Sequence, residues 1–394
     1  MMLMILMFSV LYLSGLELKR NYKVISIQGI IVIFIFTFVE GLRFGRGIDY
    51  NIYWEAYIDG LKGHEFEKSY LYNFISELLY VIDVPFQFFI VIMSFVLIVA
   101  LLIFMKHYKE VVPLALPLFI YFSYPQTENM IRWYFGFSFF LIGLFYLIKK
   151  DSMNVWYLFY SFIACSLHYA FLPVPVLFYV IFLLKRPILK PTYSVSIFLG
   201  IYFFFKSDIM EGLVDMIQVA TFLSDSSYES YVDSADYWLI GGFNGEEVSG
   251  RIGLAYMIML ILITYLGHMV IKDKDRKYIY AYNCYLIGLF LYPISKQIEL
   301  LIRYDGPFYF FISVILATII YNLSKKIKKS LYVPLCGALL LCFLVVLKGT
   351  IVESYNGSEK CYMFVWDQTD ETPNQMMNLF KDENHKNAEK QKNL

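Results

Sequence analysis

Charge is scarce in this chain. Asp, Glu, Lys and Arg together make up 17% of its 394 residues, where soluble domains carry about 25%. Hydrophobic residues take 59% and aromatics 20%, which excludes an ordinary soluble domain and leaves a polytopic, all-α membrane protein. Lys plus Arg equals Asp plus Glu at 33 each, so no basic surplus points to nucleic acid. Cysteine is sparse too, at five residues. Cys165, Cys284, Cys336 and Cys342 lie in or beside apolar runs and Cys361 stands alone. That is a pattern of small core residues, with no disulfide framework and no metal-ligand spacing. Walker A, GxGxxG, GxSxG and HExxH patterns are missing, so no nucleotide, metal or cofactor site of those kinds is expected. The lone Asp-x-Asp, Asp273 and Asp275, sits among lysines and reads as charge balance.

What the chain does have is apolar runs. A spanning helix needs about 20 mostly apolar residues. Runs of that kind fall at about 2–18, 24–41, 86–105, 111–125, 131–148, 154–170, 171–185, 192–206, 252–271, 278–295, 304–323 and 331–347. They predict a transmembrane helix bundle of about twelve spans, with Pro173 and Pro175 either separating two helices or kinking one. The first run lacks a basic start and a small-residue cleavage site, so it reads as a span and not a signal peptide.

Every second connection is basic: Lys19/Arg20/Lys23, Lys106/Lys109, Lys149/Lys150, Lys185/Arg186/Lys190, Lys272/Lys274/Arg276/Lys277 and Lys325/Lys326/Lys328/Lys329. Basic residues collect in short cytoplasmic loops. The parity therefore places the N-terminus and the loops 41–85, 125–129, 207–251 and 296–303 on the extracytoplasmic face. Residues 1–347 form the expected membrane domain, and 348–394 a polar tail that composition makes disordered. Twelve spans put that tail outside; its lysines argue the other way. Loop 207–251 is acidic, and Gly241, Gly242 and Gly245 suit a moving lid or a plain polar connector.

The charged exception is GLRFGRGIDYNIYWEAY at 41–57. Arg43, Arg46 and Asp49 follow the second run, among Phe44, Tyr50, Tyr53, Trp54 and Tyr57, with Gly41, Gly45 and Gly47 allowing close backbone approach. Charge at a membrane boundary is functional by default; an aromatic belt with interfacial arginines is the plain alternative. Arginine also favours the outer face: Arg43, Arg46, Arg132, Arg251 and Arg303, where the inner connections use mostly Lys. Its planar fork holds carboxylate or phosphate, so an anionic group is expected there. Arg132 lies one turn after Glu128, and Arg303 lies between Glu299 and Asp305, so each also reads as a local ion pair. His168, at the outer end of an apolar run, is either structural or a base or donor near pH 7.

Three stretches then carry a resemblance. LRFGRGIDYNIYWEAY, ENMIRWYFGFSFFLIG and IACSLHYAFLPVPVLF occur in that order. They resemble the Arg–Gly–Asp-Tyr, Asn-x-x-Arg and His blocks of the EpsG-like branch of Wzy-type polysaccharide polymerases. Arg303 resembles a late Arg of that family, and the similarity covers roughly residues 25–320. Trp133 stands where the family often has Gln, and Ile48 where Thr is common.

The resemblance implies a GT-C-like membrane glycosyltransferase that uses no metal or cofactor. It would sit in the bacterial cytoplasmic (inner) membrane with its site facing outward. Donor and acceptor would be oligosaccharides on undecaprenyl diphosphate, joined into O-antigen, capsule or exopolysaccharide, with a chain-length regulator and a flippase as partners. Arg43, Arg46, Arg132 and Arg303 would hold the diphosphate, since a metal-free leaving group needs fixed cations. Tyr50 and Tyr53 would meet sugar faces. His168 and Asp49 would share the proton work, either one being the base. The alternative is a flippase or transporter for the same lipid-linked oligosaccharide. Such a protein should show mid-membrane polar residues and internal symmetry, and neither is visible here.

Overall fold

The computed structural model describes residues 2–45, 49–60, 66, 69–204, 251–271, 274–295, 299–323, 329–356 and 364–365. Arg46, Gly47, Ile48, the loop at 205–250 with its glycines, and the tail beyond Asn356 apart from Phe364 and Val365 lie outside them. So do His64, Asp273, Cys361 and His385.

The described chain is helical throughout: α1 Met2–Arg20, α2 Ile27–Gly41, α3 Tyr50–Ile58, α4 Tyr70–Val81, α5 Phe86–Met105, α6 Val112–Asn129, α7 Ile131–Lys150, α8 Val155–Leu167, α9 Pro173–Leu183, α10 Pro191–Phe204, α11 Arg251–Ile271, α12 Arg276–Ser295, α13 Glu299–Tyr309, α14 Phe311–Leu323 and α15 Lys329–Asn356. Among the described residues the apolar runs lie mostly on helix. Among the described residues Phe86–Tyr108, Ile131–Lys150, Gly253–Ile271 and Arg303–Asn322 are long and apolar enough to cross a membrane. Shorter apolar helices such as Ile27–Gly41 and Val155–Leu167 accompany them. Outward side chains on α8 include Val155 and Phe162, 70% and 71% exposed, which lipid tolerates and water does not. The prolines separate two helices. His168 leaves the helical region (φ −152, ψ 108) and ends α8, and Pro173 opens α9, a position where its missing N–H is no loss.

Loop 41–85 is more ordered than a connection. It folds into α3, which buries Tyr50, Tyr53 and Tyr57, and α4, which buries Tyr72 and Ser76 one turn apart. Those helical spacings let short segments bury one face. Here the face meets Phe86, Phe89, Ile131 and Phe135.

Packing divides the chain into two units, Met1–Val176 with Lys348–Leu394, and Leu177–Leu347. In the first, α2 packs on α1 and α5, α5 on α7, and α7 on α8. Glycines set the separations: a Cβ on Gly41 would sit 2.9 Å from Val91 Cα, and one on Gly136 would sit 3.1 Å from the Ala164 carbonyl. The exits of α2, α6 and α8 and the starts of α5 and α7 gather at one end. The other end carries Lys19, Arg20, Lys106, Lys149 and Lys150. There Tyr22 donates to the Leu102 carbonyl at 2.6 Å and His107 meets the Phe145 carbonyl at 2.9 Å.

The second unit is organised on α12. Tyr282 and Tyr285 donate to the Thr264 and Leu260 carbonyls of α11 at 2.8 and 3.0 Å. Asn283 latches the connection before α10, accepting from Ile188 N–H and donating to the Arg186 carbonyl, both at 3.0 Å.

Candidate functional site

Arg43 is buried, at 3% exposure, just past the end of α2. Its Nη1 donates to the Glu40 carbonyl at 2.9 Å and pairs with the Glu40 carboxylate at 3.5 Å; Nη2 reaches the Glu128 carbonyl at 3.4 Å. Glu40 and Glu128 lie in the last turns of α2 and α6, where carbonyls lack intrahelical partners and carry partial negative charge. One guanidinium thus caps two helices and ties their ends together. Its Nε is buried and has no hydrogen-bond partner among the described residues. Beside the ion pair lies a cleft of about 20 Å³ whose polar lining is Glu40, Arg43, Ser94 and Thr127, room for a water molecule.

A second tie joins α6 to the start of α3. Asn129 Oδ1 accepts the Asp49 N–H at 2.9 Å, and Asp49 begins α3. Gln87, at the start of α5, donates to the Gly41 carbonyl and accepts the Tyr50 hydroxyl at 3.1 Å. Gly45 turns the chain with φ +63°, a conformation glycine adopts freely. Tyr50 is 1% exposed, edge-on to Phe44 and Phe86. Burial pushes its phenol above the usual range, with Arg43 and the Gly45 N–H pulling the other way. Tyr53 is 6% exposed. Both rings expected to meet sugar are packed in the aromatic cluster.

Arg132 is placed differently. Its Nε donates to Tyr53 O–H at 3.2 Å and its Nη1 to Ser69 Oγ at 3.0 Å. The guanidinium lies 3.9 Å from the Phe66 ring centre, 5.5 Å from Tyr53 and 5.8 Å from Tyr72. Among the described residues no carboxylate pairs with it, so the expected bridge to Glu128 is not formed. Ser69 holds the N-cap position of α4 without making a cap bond, because its hydroxyl is turned to the arginine. Burial, then Tyr53, raises the Tyr72 phenol, and Arg132 lowers it.

His168 is 9% exposed and edge-on to Trp133 at 5.3 Å, the residue next to Arg132. The contact follows from the α7–α8 packing through Gly136. Arg43, Asp49, Arg132 and His168 thus share one end of the first unit. Arg46 lies outside the described residues. Arg303 belongs to the second unit, half-buried, with no ion pair among the described residues; its neighbour Asp305 accepts from Ser295 Oγ at 3.0 Å. Among the described residues no three His, Cys, Asp or Glu side chains group as a metal site.

Sequence reasoning does not single out Glu40, Ser69 or Gln87, and it meets Asn129 only as the Asn of the Asn-x-x-Arg block. Glu40 stands three residues before Arg43, as Asn129 stands before Arg132, and that helical spacing is the available signal. Nothing local marks the return of the chain end. Phe364 pairs with Arg43 in an antiparallel bridge, Val365 N–H donates to the Leu42 carbonyl at 3.0 Å, and the Phe364 ring lies 6.1 Å from Phe38.

Fold and site together define an all-helical membrane protein with arginines gathered where helix ends meet. The profile of the EpsG family matches residues 26–361, and the chain belongs to that family. No curated protein and no solved structure matches it.

Proposed function

We propose that the protein is a polysaccharide polymerase that joins oligosaccharide units carried on undecaprenyl diphosphate at the outer face of the bacterial cytoplasmic membrane. The observation that carries this reading is Arg132, a guanidinium held by rings and hydroxyls with no carboxylate beside it among the described residues. A fixed cation of that kind suits the charge that develops on a departing diphosphate. Arg43 supports it as the tie between α2 and α6. Arg46 and Arg303 remain candidates for further contacts. In the reaction, an acceptor hydroxyl forms a bond to the donor's anomeric carbon as the bond to diphosphate breaks, and the hydroxyl proton passes to a base. His168, beside Trp133, is assigned as that base or as the group orienting the hydroxyl, and Asp49 as its support.

Deletion followed by analysis of lipid-linked glycans tests the reading. Single repeat units facing outward are expected. Units trapped on the cytoplasmic side would make the protein a flippase instead. For the base, a pH–rate profile of the purified enzyme should lose its acidic inflection in His168→Ala. Retention of the full profile, with turnover abolished in Asp49→Asn, reverses the two roles.

A further inference from the structure

Phe364 and Val365 meet the exit of α2. Leu42 is the residue on which α2 ends, and its carbonyl has left the helix. The partner it finds is Val365 N–H, at 3.0 Å, from more than 300 positions away. Beside that bond Phe364 lies opposite Arg43 in the bridge, and its ring reaches Phe38 on the last turns of α2. Backbone pairing on one side and ring packing on the other grip the exit of α2 just where Arg43 must turn to reach Glu40 and Glu128. The family profile ends at residue 361, before Phe364 and Val365.

We infer that Phe364 and Val365 form a strap on the outer end of the first unit that positions Arg43 for the site. The docking stands on geometry alone; its effect on activity rests on the polymerase reading above. A strap of this kind acts by geometry: a misplacement of about 1 Å at a catalytic constellation costs roughly a hundredfold in rate.

The test has two arms. In a Cys361→Ser background, Leu42→Cys with Val365→Cys places two thiols on directly paired residues, close enough for a disulfide. Oxidation of intact membranes should give a mobility shift that neither single variant shows. No shift, with both thiols open to maleimide, overturns the docking. The second arm compares chains stopped after Asn356 and after Asp367, at equal membrane levels. The shorter chain should lose polymer at least roughly tenfold, within the range that such misplacement allows, and the longer chain should keep it. Phe364→Leu should behave as the parent and Phe364→Asp as the short chain. Full polymer from the short chain overturns the positioning role, as does an oxidised pair that is inactive, since the segment would then be a lid that must open. If the parent itself makes no polymer, the polymerase reading falls while the cross-link still reports the strap.

Discussion

Arg43 and Arg132 differ in what surrounds their charge. Arg43 has Glu40 beside it and two helix-end carbonyls in reach, all buried. Removing one partner of a buried pair strands the other, so Arg43→Met should destabilise the protein by about 3–5 kcal/mol. Adding Glu40→Leu should return most of that, because apolar replacement of both partners is often neutral; thermal unfolding in detergent reads both. Arg132 rests on ring faces, worth about 0.5–2 kcal/mol. Arg132→Lys preserves charge without the fork. It should slow turnover of a lipid-linked donor by about 10²–10³ while leaving the unfolding temperature in place. An unchanged rate would make Arg132 an anchor of α7 only. The sequence marks both residues by type and face. It does not separate them, since whether an arginine meets a carboxylate depends on what neighbouring helices present.

The elements are legible where the signal is local. Apolar runs map onto helices because spanning segments carry their own hydrogen bonds and need only length and hydropathy. Helices α3 and α4 are not, because nine and twelve residues laced with polar groups are short for a stable helix alone and fold by packing on α5 and α7. Glycines control how closely the long helices meet. Gly41→Ala pushes a methyl to 2.9 Å from Val91 Cα, overpacking that should cost about 1–3 kcal/mol and shift the exit of α2. Gly200→Ala, with nothing within 4 Å, is the control. It should be neutral or stabilise by up to about 1 kcal/mol. Equal losses in the two would show that backbone freedom, not contact, sets their value.

At the scale of the molecule, Phe364 meets Arg43, and the ten apolar runs expected between residues 86 and 347 would, if each crosses the membrane, return the chain to the same side. The basic ends of α1, α5 and α7 lie opposite, on the side that the basic-loop pattern predicts to be cytoplasmic. Cysteine at Asp83 should therefore label from outside intact cells, while cysteine at Lys274 should label only after the membrane is opened. Labelling of Lys274 in intact cells would put the arginines and His168 on the wrong face for an outward-working enzyme. An expected orientation is legible in the sequence because lysines in alternate loops mark one side of the membrane. The closure of the chain on itself is not legible, since a backbone pairing leaves no mark on side-chain composition.

Ser69 links the smallest of these scales to the largest. Its hydroxyl has two suitors, the guanidinium of Arg132 and the open first turn of α4, and in this structure the arginine has it. Arg132→Ala should free the hydroxyl for the helix, where a serine cap is worth about 1 kcal/mol.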